Sequence, residues 1–254
     1  MFCHCCGSVK WGGAGLIRLE DVVYEVDGVN ILDGVSLQIE KGEVFVIMGT
    51  SGAGKTTILR LLNGLLRPTS GRVFIDGEDI TQLTEKEMTR IRRRVALVFQ
   101  SAALFDSLPV WANVGFAWRK ERLPEGELLR RVQKILALVG LDGVEDRMPA
   151  ELSGGMQKRV SLARAVAMEP DVILYDEPTS GLDPITSRKI LDLMVELQNR
   201  LKVTSVVVTH DLQAASQIGT RVALLHEGKI AFVGSPAELY ESPQSIVQEF
   251  VAGG

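Results

Sequence analysis

Residues 49–56 read GTSGAGKT, directly after EVFVIM and directly before a run with Ile58, Leu59 and Leu62 at helical spacing. Few stretches of eight residues restrict a fold this strongly. The pattern G-x-x-x-x-G-K-[ST] is filled at every fixed position, and its glycines let backbone N–H groups converge on an anion at a helix N-terminus. A continuous apolar strand that feeds such a loop is buried on both faces, as in a parallel sheet. The candidate phosphate contacts are Gly49, Thr50, Ser51, Gly52, Ala53, Gly54, Lys55, Thr56 and Thr57. Lys55 supplies a cation for the β and γ phosphates, and the Thr56 hydroxyl is suited to Mg²⁺. The implied ligand is a nucleoside triphosphate.

The rest of the chain alternates strand and helix, as an α/β fold with a parallel core sheet requires. Residues 16–48 predict β-structure, antiparallel in the part before the parallel strand EVFVIM, with Asp-Gly turns at 27–28 and 33–34 and a Lys41-Gly42 turn. Further strands are predicted at RVFIDGEDI (a hairpin), VALVF, VILY, TSVVV and the closing hairpin RVALLHEGKIAFVG. TEKE at 84–87 predicts a capping box for a helix through Arg94, and helices are expected to Met168 and over Pro184 to about Leu201. Between about Ser101 and Glu151 strand signals stop. There Leu128, Leu129, Val132, Ile135, Leu136 and Val139 fall at helical spacing. The expected organisation is a loose tail over 1–15 and one domain over 16–254, with a helical insertion at approximately 101–165.

Composition excludes several classes. The 254 residues carry a net charge of −4, so no nucleic-acid partner is expected. No apolar run reaches the roughly 18 residues of a membrane helix, and the start has no signal-peptide core. The three cysteines, Cys3, Cys5 and Cys6, crowd beside His4, whereas zinc sites use spaced pairs. They are read as reducible thiols in a glycine-rich tail.

Other polar residues follow strand-like runs. VILYDE at 172–177 carries Asp176 to a strand end, suited to a metal, with Glu177 placed to polarise an attacking water. His210 follows TSVVV, in reach of a γ-phosphate, and Gln100 follows VALVF, in reach of the metal or water. A second glycine loop, LSGG at 152–155, opens another helix. One loop already surrounds a triphosphate, so Ser153, Gly154 and Gly155 are expected to reach the γ-phosphate held by another copy of the chain, packed head to tail.

In order, Tyr24, the phosphate loop, Gln100, LSGGM, VILYDE, SGLD at 180–183 and His210 resemble the nucleotide-binding subunits of ATP-binding cassette transporters, over residues 17 to roughly 240. The resemblance implies an ATPase using ATP and Mg²⁺ that dimerises around two ATP and drives a membrane permease, held at the cytoplasmic face of the inner membrane by that partner. It implies that Tyr24 stacks on adenine, Gln100 begins the loop sensing the permease, Asp183 communicates across the dimer, and His210 contacts the γ-phosphate. Met156 departs from the glutamine of many members. FQSAALFDSLPVWANVGF, LSGGMQKRV and LYDEPTSGLDPITS further resemble the ATPases of Mla-type lipid transport systems, which work with an MCE-domain lipid-binding protein. An alternative is a cassette ATPase performing conformational work without transport. No N-K-x-D base-reading motif supports a GTPase, and the 51 residues between Gln100 and Leu152 leave no room for coiled-coil arms.

Overall fold

The computed structural model describes residues 15–253, so the CHCC stretch lies outside the described residues. Three hairpins share one turn chemistry. Strands β1 (Ile17–Val26) and β2 (Val29–Ile39) meet at Asp27-Gly28. Strands β4 (Ser70–Ile75) and β5 (Glu78–Asp79) meet at Asp76-Gly77, and β9 (Arg221–His226) and β10 (Lys229–Gly234) meet at Glu227-Gly228. Both residues of each turn have positive φ, the backbone a tight two-residue hairpin demands. Asp33-Gly34, expected as a further turn, instead lies inside β2. Gly34 (φ 71°) sits where the β1–β2 register shifts by one residue, so the same dipeptide serves there as a bulge.

Two sheets result. The antiparallel sheet has the order β2-β1-β4-β5. The larger sheet also contains β3 (Val44–Met48), β6 (Val95–Val98), β7 (Val172–Asp176) and β8 (Thr204–Val208), in the order β10-β9-β3-β8-β7-β6. All its neighbours are parallel except the edge strand β10. Its central strands are buried on both faces, and their side chains alternate between two cores. Val44, Val46 and Met48 pack on one side, and Phe45 and Ile47 on the other.

The helices divide accordingly. Helices α1 (Lys55–Leu62) and α2 (Glu85–Arg94) share one core with the antiparallel sheet. Thr84 and Glu87 close the expected capping box at α2. Helices α3 (Val110–Gly115), α4 (Glu125–Leu138), α5 (Gly154–Val166), α6 (Pro184–Leu201), α7 (Leu212–Ile218), α8 (Pro236–Glu241) and α9 (Ser245–Gly253) pack on the other core. The first three of these lie between β6 and β7 in sequence. Helix α5 ends at Val166, short of Met168, and α7 was not expected.

Asn113, fully buried in α3, holds the segment before it. Its amide accepts from the Phe105 N–H at 2.8 Å and donates to the carbonyls of Phe105, Leu108 and Pro109. Asn113→Ala would strand several of these groups at once. The expected loss is about 2–3 kcal/mol of unfolding free energy, read from the urea midpoint; a change within 0.5 kcal/mol, roughly the error of such a comparison, would assign the loop's order to other contacts.

Candidate nucleotide site

Parallel strand order brings the separated motifs to one sheet edge. β3 runs into Gly49, β7 ends in Asp176, and His210 and Gln100 each lie two residues beyond β8 and β6. Two glycines are required by close approach. A Cβ on Gly49 would stand 2.3 Å from the Leu225 carbonyl oxygen. On Gly54 (φ 101°), which precedes α1, it would meet Leu32 at 2.8 Å and the Ile31 carbonyl at 2.9 Å.

The loop folds around Lys55. Its Nζ donates to the carbonyls of Gly49 at 2.8 Å and Thr50 at 3.0 Å. Burial pushes its pKa down, while the Glu177 and Asp176 carboxylates oppose that shift. The Thr56 hydroxyl donates to Asp176 Oδ1 at 2.9 Å, so two hard oxygen donors already touch. A Mg²⁺ ion generally takes one or two such protein ligands and fills its shell with phosphate and water oxygens. Thr56 and Asp176 fit that requirement, with the Gln100 amide lining the same cleft.

Glu177 adopts a left-handed backbone (φ 45°), and its N–H donates to the Val208 carbonyl of neighbouring β8 at 3.0 Å. Its carboxylate meets His210 Nδ1 at 3.0 Å; the carboxylate is mostly shielded and the imidazole is exposed. Gln100 Nε2 donates to the Ser180 hydroxyl at 3.0 Å. These groups line a cleft of about 630 Å³ together with Thr50, Ser51, Gly52, Gly54, Lys55, Thr56 and Thr57. Ala53, within the same loop, is buried and does not line the cleft.

Ser153, Gly154 and Gly155 do not line this cleft. Ser153 caps α5, accepting from the Met156 N–H at 3.3 Å, and Ser153 and Gly154 are exposed. The Met156 side chain packs against the adjacent core. Asp183 caps α6, accepting from the N–H groups of Ile185 and Thr186 at 3.0 Å each, and the Thr186 side chain together with these N–H bonds holds its pKa low. Tyr24 is also outside the cleft. It pairs with Leu32 across β1 and β2 and packs against the core beneath that sheet.

The structure adds residues that the motifs did not indicate. Lys158 of α5 is buried, donates to the Gln100 carbonyl, and lies near the charges of Asp176 and Glu177. Six residues later, Arg164 donates to the carbonyls of Ala103 at 2.7 Å and Ala102 at 3.2 Å. Both alanines are left-handed, φ 47° and 60°, a backbone that non-glycine residues adopt only when held there. Ile31, Glu249 and Phe250 complete the cleft. Only their distance in sequence from every motif hid them.

A phosphate loop at the edge of a parallel sheet, joined by a threonine–aspartate pair and a glutamate–histidine pair, defines a nucleoside-triphosphate-hydrolysing cassette. The sequence pattern of the family described as "ABC transporter" matches residues 32–180, and the chain belongs to that family. Its cofactors are accordingly ATP and Mg²⁺, and its activity class is ATP hydrolysis. Among curated relatives, the methionine import ATP-binding protein MetN of Carboxydothermus hydrogenoformans is 43% identical over 224 residues, covering 88% of this chain and 66% of that protein. The glycine betaine/carnitine transport ATP-binding protein GbuA of Listeria monocytogenes is 39% identical, covering 91% of this chain and 59% of that one. The chain thus spans two thirds or less of the length of these two relatives. The solved structure of cbiO1 from Clostridium perfringens, part of the transporter complex cbiONQ, superposes with a TM-score of 0.83 at 33% identity, covering 93% of this chain and 95% of that one. A dimeric ATP-binding cassette, MJ0796 bound to ADP and Pi, superposes with a TM-score of 0.79 at 35% identity, covering 87% of this chain and 98% of that one.

Proposed function

We propose that this chain is the ATP-hydrolysing subunit of a membrane transporter, working as a head-to-tail pair around two ATP and driving a permease from the cytoplasmic face. The observation that carries this reading is the division of the motifs. The phosphate loop, Gln100, Glu177 and His210 line one cleft, while Ser153 and Gly154 stand exposed outside it. A second copy is the partner that would bring its own Ser153–Gly155 to the γ-phosphate, and the dimeric structure of the related cassette MJ0796 supports this. We take residues 16–254 as the cassette, with 101–165 as its helical insertion.

In this reading Lys55 neutralises the β and γ phosphates, and Thr56, Asp176 and Gln100 would hold Mg²⁺, which would screen phosphate charge. Glu177 accepts the proton of the attacking water as its oxygen bonds to the γ-phosphorus and the bridging oxygen leaves with ADP. His210, tied to Glu177, lies beside the γ-phosphate. Asp183 would act across the pair, a role its capping bonds would have to share. No helix among the described residues is long and apolar enough to cross a membrane, so a permease subunit supplies the path.

Cargo is a finer matter. The resemblance to lipid-transport ATPases does not extend to the relatives named above, whose names assign methionine import and glycine betaine or carnitine transport. They favour a small polar solute and give no support to an MCE-domain partner. Lipid is the second reading, favoured by FQSAALFDSLPVWANVGF at 99–116. Co-purification of the chain from native membranes, with the accompanying permease and bound small molecules identified, separates the two. Recovery of an MCE-domain protein with phospholipid would overturn the solute reading, and recovery without any permease would overturn transport.

The same stretch is the proposed contact with the permease. Phe105 is 40% exposed and packs at a tilt against Phe116, ring centroids 4.9 Å apart, near the half-buried Leu108 and Trp111. An apolar helix of the permease fits such a surface. Leu108→Glu is expected to weaken permease capture at least about tenfold, the cost of one buried charge, while ATP affinity of the isolated chain stays unchanged. Paired pull-down and nucleotide-binding measurements check this, and undiminished capture would place the docking surface elsewhere.

A further inference from the structure

Only three charged side chains are buried among the described residues: Lys55, Asp176 and Lys158. The first two belong to the phosphate loop and to the threonine–aspartate pair suited to Mg²⁺. Lys158, on α5, serves neither and does not line the cleft. Its neighbours Val160, Leu162 and Val166 are apolar core. An unbranched apolar side chain such as methionine would fill the position too. A buried ammonium is costly unless it is paired and hydrogen-bonded, so the use of this lysine lies in what its ammonium touches.

The Nζ donates to the Gln100 carbonyl, which accepts from no other group among the described residues. Burial pushes the Lys158 pKa down, and the Asp176 and Glu177 carboxylates oppose that shift. The same two carboxylates act on Lys55, so the catalytic strand end is flanked by two lysines, one from the loop and one from α5.

Gln100 needs such a partner. It lies two residues beyond the end of β6, and Ala102 and Ala103 after it have left-handed backbones. Its side chain lines the cleft but makes one protein hydrogen bond, to the Ser180 hydroxyl at 3.0 Å. Irregular backbone therefore carries this amide, and Lys158 supplies the fixed point that the strand no longer gives.

We infer that Lys158 is a positioning residue for the hydrolytic step, holding the Gln100 main chain so that the Gln100 amide stays in the nucleotide cleft. The inference rests on the proposed part of Gln100 in hydrolysis. Because Lys158 stands outside the cleft, its loss acts on turnover and not on nucleotide binding.

The test pairs steady-state ATP hydrolysis with equilibrium Mg-ATP binding on the full chain. Lys158→Met removes the donor and keeps an unbranched side chain. It is expected to lower kcat about ten- to a hundredfold, the scale of a slightly misplaced catalytic group. KM and the ATP dissociation constant should stay within about twofold of the parent. Lys158→Arg should recover most of the lost rate, because a single carbonyl needs a single cationic donor. In a Gln100→Ala background, Lys158→Met should lower kcat no further, since the side chain it positions is gone. Unchanged kcat in Lys158→Met would overturn the inference, as would additive losses in the double variant or an arginine no better than methionine. A parallel loss of ATP affinity or of the fold in Lys158→Met would also overturn it, assigning the lysine to the packing of α5. Gln100→Ala at the parent's rate would instead overturn the proposed part of Gln100, and the inference with it.

Discussion

Glu177→Gln is expected to bind ATP as tightly as the parent chain while hydrolysing it about 10²- to 10⁴-fold more slowly, the range for loss of a general base. The substitution preserves size and leaves an amide able to keep the 3.0 Å contact with His210 Nδ1. The Glu177 N–H bond to Val208 involves main chain only, so the left-handed turn at this position survives. What disappears is the carboxylate bonded to His210, the group the proposed mechanism uses to take a proton from water. Phosphate release and nucleotide affinity measured on the same preparation give the answer, and turnover within a few-fold of the parent would assign the base elsewhere.

Lys55→Ala acts one step earlier. The ammonium is held between the Gly49 and Thr50 carbonyls, within the loop that would receive the phosphates. Its removal deletes charge-assisted bonds to two phosphates and leaves two loop carbonyls without that donor, for an expected loss of about a hundredfold or more in ATP affinity. Lys55→Arg should not rescue it, because a planar guanidinium does not reproduce the compact ammonium that bonds both the Gly49 and Thr50 carbonyls in a residue only 8% exposed. Calorimetric titration checks both variants. Retained affinity in Lys55→Ala, with an unchanged melting temperature, would remove this loop as the phosphate site.

Where chemistry is concentrated in a short stretch, the sequence shows it directly. The phosphate loop, the Asp176-Glu177 pair and the capping box at Thr84 are local patterns, and the structure keeps each where the residues put it. Tyr24 is a single aromatic on β1, opposite Leu32, and alternation along the strand does not say which face of the sheet it serves. Asp33-Gly34 has the composition of a turn, but positive φ serves a bulge equally well. Helix α7 is short and mixes alanines with polar residues, so no apolar stripe marks it. Sheet order is invisible to local pattern. It alone sets β7 between β6 and β8, and so brings Gln100, Glu177 and His210 to one cleft. Phe250 and Lys158 depend on tertiary packing that no spacing rule reaches.

The two cations of α5 make unequal joints in this molecule. Lys158 and Arg164 fasten the main chain at Gln100, Ala102 and Ala103 to a helix about 20 Å long, whose first turn faces outward at Ser153. By contrast, the Gln100 side chain meets the segment after β7 through a single hydrogen bond to Ser180. Mechanically, the helix and the Gln100 segment are tied together as one unit, and on the proposed reading a pull on residues 101–105 would be carried to the Ser153 end of α5 through the Lys158 and Arg164 bonds.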